Sequence, residues 1–303
     1  MSKILVSGLL NIETSVQIRE FPINYYPIDY HFFGINSCVS GVGYNIAKSL
    51  KTLNDDVTVL SIIGNDFESE KILKELSACN INSNHISREM NQSATSVILY
   101  DPQGKRQIHC DLKDIQERTL NVDNTTVENC DIAVICNINF NRQLLKKAKA
   151  LNKTIATDVH VLNNIDDDYN RDFMENADIL FLSDENLPCE PKDFLMKIEN
   201  KYHSKIIVLG QGGNGALMYV KDDNAFYDLA PVKNNNIVNT VGAGDALFSS
   251  FIHFYAKGLS PVECLKRAEI FASKKISANG ASNGFITEEE IENIYNSIEI
   301  SVY

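Results

Sequence analysis

Hydrophobic residues follow two alternating spacings along the chain. Short, nearly unbroken apolar runs read as buried strands: Ile4–Leu10, Val57–Phe67, Ile132–Cys136, Thr154–Asp158, Asp178–Leu182, and the run from Ile206 that resumes after a glycine loop at Ala216. Between them, Ile46, Ala47, Leu50 and Leu53 recur at helical spacing, and Glu68–Leu76 and Asn141–Leu151 read as further helices. Strands alternating with helices imply an α/β fold with a mainly parallel, doubly wound sheet. Ligands of such sheets gather at the carboxyl ends of the strands, where Asn139 and Asp158 fall. Two stretches break the alternation. Phe21–Phe33 is rich in aromatic residues and Pro without helical periodicity, which suggests short strands or an extended flap. Ser93–Leu99 alternates, Asp101-Pro102-Gln103-Gly104 is a turn, and Arg106–Cys110 returns as the second arm of a hairpin.

Leu247–Ala256 is apolar almost without interruption, lacks Pro, and ends in Lys257-Gly258, a cation and a C′ glycine. A run with no polar stripe predicts a helix buried on every side. The loop feeding it, Asn239-Thr240-Val241-Gly242-Ala243-Gly244-Asp245-Ala246, therefore delivers two glycines onto a buried helix N-terminus. Free N–H groups and the positive end of the helix dipole meet there and suit developing negative charge. Asp245 would repel a phosphate in that position, so it needs another use. As a base it would take the proton of an attacking hydroxyl while the amides hold a phosphoryl group. The plainer alternative makes Asp245 a helix cap and the glycines a turn.

Two other glycine loops follow the same design. Ser40-Gly41-Val42-Gly43 opens the helix that carries Asn45, and Gly210-Gln211-Gly212-Gly213-Asn214-Gly215 joins two strands. Read alone, Asn45 stabilises a helix start, Gly210–Gly215 is a hairpin turn, Asp66 is a helix cap, and Asn11-Ile12-Glu13 is a polar strand end.

Composition narrows the field. The chain has 303 residues, enough for one large α/β domain or a domain with a small excursion. A formal net charge of −12 argues against a nucleic-acid partner, without excluding a phosphorylated ligand held by backbone amides. Seven Cys without CxxC spacing indicate neither zinc nor a disulfide framework and fit a reducing compartment. With no signal peptide and no long apolar span, no membrane association and a cytoplasmic location are expected. No Gly-x-Gly-x-x-Gly follows the first strand, which disfavours a dinucleotide oxidoreductase.

The run Asn239–Ala246 followed by a buried helix resembles the C-terminal signature of the ribokinase-like (PfkB) carbohydrate kinases, Asp-Thr-x-Gly-Ala-Gly-Asp. Ser40–Ala47 is similar to the family's Gly-Gly-x-x-x-Asn-x-Ala, with Ser40 for the first Gly. The resemblance implies a three-layer fold with a small β lid drawn from about 12–36 and 94–112, in one kinase domain spanning 1–303. It implies an ATP-dependent kinase acting on a primary hydroxyl of a ribose- or fructose-like sugar. Asp245 would be the base and Gly242, Ala243 and Gly244 the anion hole. The substrate side would comprise Asn11, Glu13, Gly41, Val42 and Asn45, with Asn139 beside them. ATP would lie along Gly210, Gly212, Gly215, Asn279 and Gly280 with its Mg²⁺, and subunits would pair through the lid as a homodimer.

The departures from the family pattern are as specific as the matches. Glu13 stands for the Asp of Asn-x-Asp, one methylene longer. Gly210 stands for Thr in the nucleotide loop. Leu182-Ser183-Asp184-Glu185-Asn186 shifts the register of Asn-x-x-Glu, leaving Glu185 to act on Mg²⁺ through water. Asn239 replaces an Asp that helps hold a monovalent cation, keeping an oxygen for K⁺ without its charge. Two alternatives remain open: a ribonucleoside or pseudouridine kinase, with Tyr25-Tyr26 and Phe32-Phe33 stacking on a base, and a non-catalytic sugar- or nucleotide-binding regulator.

Overall fold

The computed structural model describes residues 1–303 apart from Gly104. In chain order the first half runs β1 (Lys3–Ser7), β2 (Asn11–Gln17), β3 (Ile35–Ser40), α1 (Val42–Thr52), β4 (Asp56–Gly64), α2 (Phe67–Ala78), β5 (Ile86–Met90), β6 (Thr95–Tyr100), β7 (Arg106–Asp111), α3 (Asn124–Glu128) and β8 (Ile132–Ile135). The second half runs α4 (Arg142–Ala150), β9 (Thr154–Val161), α5 (Arg171–Asn176), β10 (Ile179–Ser183), α6 (Pro191–Tyr202), β11 (Ile206–Gly210), β12 (Ala216–Val220), β13 (Ala225–Leu229), α7 (Ala243–Ala256), α8 (Pro261–Lys275) and α9 (Glu288–Tyr295).

Among these residues one large sheet has the order β13-β12-β11-β10-β9-β8-β1-β4-β5. It is parallel from β11 to β5, and β12 and β13 return antiparallel at the other edge. The two-residue strand period divides its side chains between two cores. Ile4, Val6, Val57, Val59, Ile206 and Val208 join the core under α1, α7 and α8; Leu5, Leu60, Ile62, Ile207 and Leu209 join the one under α4 and α6. Burial on both faces is why these strands read as continuous apolar runs.

Helix α7 is as enclosed as its sequence requires. Every residue from Ala246 to Phe254 is buried, and α7 lies between α1 and α8. Of its buried polar residues, Ser249 Oγ meets Ser49 Oγ of α1 and His253 Nδ1 meets Asp55 at 2.7 Å, whereas Ser250 Oγ has no partner. Asp66 caps α2 through a capping box with Ser69 and also accepts from Ser93.

A second sheet, β3-β2-β6-β7, stands apart from the first. It pairs β2 antiparallel with β3, β2 parallel with β6, and β6 antiparallel with β7. Of the two readings offered for Phe21–Phe33, short strands are not found: the segment between β2 and β3 forms no strand, and Tyr25, Phe32 and Phe33 are exposed. The turn expected at 101–104 is held by Asp101, whose side chain accepts from Gln103 N and Lys105 N; its last residue lies outside those described.

Candidate active site

The second sheet faces the loop that leads into α7 across a cleft of about 940 Å³, whose lining includes neither the ends of the large sheet's strands nor Asp245, Asn45, Asn11 or Gly244. Strand period again decides what enters it. Glu13, Ser15 and Gln17 of β2 point into the cleft, as do Ile98 and Tyr100 of β6 and Arg106 of β7. The opposite wall is the loop Ile237–Val241, with Asn279, Gly280 and Asn283 beyond it.

At the end of that loop Gly242 caps α7 with φ 81°, and a Cβ there would lie 2.3 Å from the Ala281 carbonyl oxygen. Only glycine fits this turn. Gly244 differs: a Cβ would meet nothing within 4 Å. Its glycine is not required by the protein's own packing, and it leaves open space over the first turn of α7.

Asp245 is the third residue of α7 and does not cap the helix. Its Oδ2 accepts a 2.7 Å hydrogen bond from Asn45 Nδ2 of α1. Burial pushes its pKa up to about 6; Asn45 and the charges of His160 and Lys275 draw it down, and Asp158 raises it. At neutral pH it is mostly ionised, at a value suited to accepting a proton.

Asn45 Oδ1 and Asn11 Oδ1 are buried acceptors without a partner. Asn45 spends its donor on Asp245, and Asn11 spends its donor on Ser96 Oγ at 3.1 Å. Two orphaned acceptors beside one site are costly unless a ligand supplies donors. Glu13 is buried, accepts from Ser40 Oγ at 2.9 Å, and has its pKa raised by that burial.

The remaining expected site residues separate into groups. Gly41 and Val42 open α1 ahead of Asn45, but Gly41 is a glycine because a Cβ would sit 2.4 Å from the Leu9 carbonyl oxygen. Asn279 and Gly280 line the cleft. Gly210 lies at the end of β11, where a Cβ would touch Leu182 O and the Leu247 side chain of α7, each at 3.8 Å, in ordinary contact. Gly212 is open to solvent, whereas Gly215, with φ 94°, is fixed by the close approach of the end of β13, since its Cβ would meet Leu229 O at 2.0 Å. Glu185 is exposed next to this loop, because Asp184 N donates to Gly210 O at 3.0 Å.

Asn139 is a correction to the expected substrate set. Its amide nitrogen donates to Gln116 O and its Oδ1 accepts from Arg142 Nε, so both ends are engaged in tying the chain after β8 to its neighbours. Tyr25, Tyr26, Phe32 and Phe33 are likewise absent from the cleft lining.

Both oxygens of Asn239 already have a donor from the chain. Its Oδ1 accepts from Val241 N at 2.8 Å, and its main-chain carbonyl accepts from Lys275 Nζ. K⁺ therefore does not fit here, since an ammonium already lies against the loop. Among the described residues, no three His, Cys, Asp or Glu side chains converge as a metal cage.

Lys275, Arg106 and His160 were not legible as site residues. Lys275 reads as an ordinary cation at a helix end, and burial pushes its pKa down to about 8 against the attraction of Asp245 and Glu13. Arg106 Nη1 reaches Thr240 Oγ1 at 3.5 Å, bridging the two walls.

The profile of the pfkB family carbohydrate kinases matches residues 1–288. A ribokinase of Dictyostelium discoideum is 24% identical over 321 aligned residues, covering 96% of this chain and 99% of that protein. A fructosamine kinase of Bacillus subtilis is 22% identical over 272, covering 88% and 92%. Among solved structures, a microbiome-derived acarbose kinase superposes with a TM-score of 0.86 at 20% identity, covering 97% and 99%.

Proposed function

From the premise that this chain belongs to the PfkB family of carbohydrate kinases, we propose that it transfers the γ-phosphoryl group of ATP to a primary hydroxyl of a ribose- or fructose-like sugar. One observation carries the reading: an ionisable carboxylate, Asp245, at the N-terminus of a buried helix, held by an asparagine whose own acceptor is orphaned. Asp245 takes the hydroxyl proton, and the amides of Gly242 and Gly244 receive the charge on the migrating group; the Ala243 amide, expected to join them, already donates to Thr240 O at 3.2 Å. The open space over Gly244 is where that group approaches. Glu13 accepts from sugar hydroxyls, and the orphaned oxygens of Asn11 and Asn45 take two further donors. No covalent enzyme intermediate is needed, because positioning and charge stabilisation suffice for this transfer.

The triphosphate extends past Gly244 toward Gly210 and Gly212, with the adenine end near Asn279 and Gly280. Mg²⁺, which neutralises phosphate charge when bound, needs few protein ligands; Glu185, next to the residue that pairs with Gly210, would supply a carboxylate to it through water. The second sheet acts as the lid. Its face away from the cleft exposes Ile35 and Val97, which suits pairing with a second copy of the chain. Among the described residues no helix is long and apolar enough to cross a membrane.

ADP release measured with a panel of sugars and nucleosides tests this. At least one acceptor should turn over, and Asp245→Asn should lower kcat by about 10²–10⁴-fold while nucleotide binding persists. A variant with full turnover would remove Asp245 as the base, and silence with every acceptor would favour a non-catalytic sugar-binding role.

A further inference from the structure

Lys275 is the last residue of α8, and none of its surface is exposed. A buried ammonium must find acceptors. Its Nζ donates to the main-chain carbonyl oxygen of Val241 and, at 3.4 Å, to that of Asn239. Both carbonyls belong to the short turn that ends in Gly242. The same turn is tied to the end of α8 through Val238 N and Asn239 N, which donate to Ile276 O at 2.9 and 3.1 Å. Carbonyls converging in this way on an interior point make a cation site, and here the cation is covalently part of the chain.

The local charges agree with that. Asn239, which lies on the site, is neutral, so no carboxylate in the turn waits for a second positive charge. The carboxylates acting on Lys275 are Asp245 of α7 and Glu13 of β2. A potassium ion between the same carbonyls would overlap the ammonium and be repelled by it.

We infer that the Lys275 ammonium replaces a monovalent metal ion in this protein: it fixes the carbonyls of Asn239 and Val241 so that the amides of Gly242 and Gly244 point at the phosphoryl group, and K⁺ is dispensable. Lys275 is thus a positioning residue, acting through the turn rather than on substrate. The inference rests on the kinase reading of the Gly242–Gly244 loop.

The test compares wild type in KCl, NaCl and tetramethylammonium chloride at equal ionic strength, reading both phosphoryl transfer and the melting temperature. The expected result is no difference among the three salts in either measurement. A rate or melting temperature raised specifically by K⁺ would overturn the inference. Lys275→Met in tetramethylammonium should lose about 10–100-fold in kcat, the equivalent of a charge-assisted hydrogen bond. Lys275→Ala, which opens room at the carbonyls, should acquire activation by K⁺ or NH₄⁺, a change that a purely structural lysine would not produce. A Lys275→Met variant as fast as wild type without K⁺ would also overturn it. If the variants fail to fold, the wild-type salt series decides alone. Absence of transfer in every salt would sink the kinase reading, while the melting series would still report on the cation site.

Discussion

Asn45→Ala is the most informative single change, because it releases the base on α7 from its hydrogen-bond donor on α1. Asn45 Nδ2 donates to Asp245 Oδ2 at 2.7 Å, a bond to a charged acceptor in a site where burial already holds the Asp245 pKa at about 6. Removing such a donor costs the ionised form about 1.5–3 kcal/mol, and each pKa unit is about 1.4 kcal/mol. The carboxyl should therefore titrate roughly one to two units higher, near 7–8. Alanine is a good helix former in α1, so the helix should persist. The assay is the pH dependence of kcat/KM for the sugar, which reports groups of the free enzyme. Wild type should lose activity below about pH 6, tenfold per unit, because the base must be ionised. In the variant the acidic limb should move up, so that the deficit is large at pH 7 and shrinks toward pH 9. KM should rise at all pH values through loss of the orphaned Oδ1. A limb that stays near 6 or moves lower would refute the coupling of Asn45 to the base.

Asp245→Asn should be inactive yet more stable. The folded-state pKa lies above the ordinary carboxylate value of 3.8, so the native state holds the proton more tightly, and ionisation destabilises the fold as pH rises from about 4 to about 6. At pH 7 the substitution should recover at most about 3 kcal/mol, read as a higher melting temperature and as loss of this contribution to the pH dependence of stability. Gly244→Ala should leave stability unchanged or raise it by up to about 1 kcal/mol, while its methyl group enters the open space and lowers kcat/KM for ATP. Gly242→Ala should instead destabilise by about 1–3 kcal/mol or more, through its φ of 81° and the 2.3 Å approach to Ala281 O; comparing denaturant midpoints of the two variants checks this contrast. Glu13→Ala should lower kcat/KM for the sugar by about 10–100-fold with KM for ATP unchanged, as expected for loss of a hydrogen bond to a charged group.

Period and glycine placement made most of the fold legible. Strands buried on both faces and the unbroken apolar run of α7 are local consequences of where each face must lie, so Leu247–Ala256 announced its burial without any knowledge of its neighbours. The capping role of Asp66 followed from an acidic residue placed at a helix start. Asn11, Glu13 and Asn45 entered the expected substrate set through the family resemblance, and Asp245 through the glycine loop that opens α7. Asn139 looked equivalent to them, yet its amide is spent on Gln116 and Arg142. Position along a strand says where a side chain starts; it does not say which acceptor it meets.

Hydrophobic spacing, turn residues and the order of glycine loops thus determined the layers, the buried helix and the end of the sheet where chemistry belongs. These are set by each segment's own need to bury one face and satisfy its backbone. Tertiary structure alone decided that Asn45 donates to a residue 200 positions away, that Gly242 is fixed by Ala281 while Gly244 stays open, and that Lys275 turns inward to two carbonyls. Those outcomes depend on how α1, α7 and α8 meet above the strand ends. A polar group's partner, and hence its charge and its role, is fixed by that crossing and leaves no periodic trace in the chain.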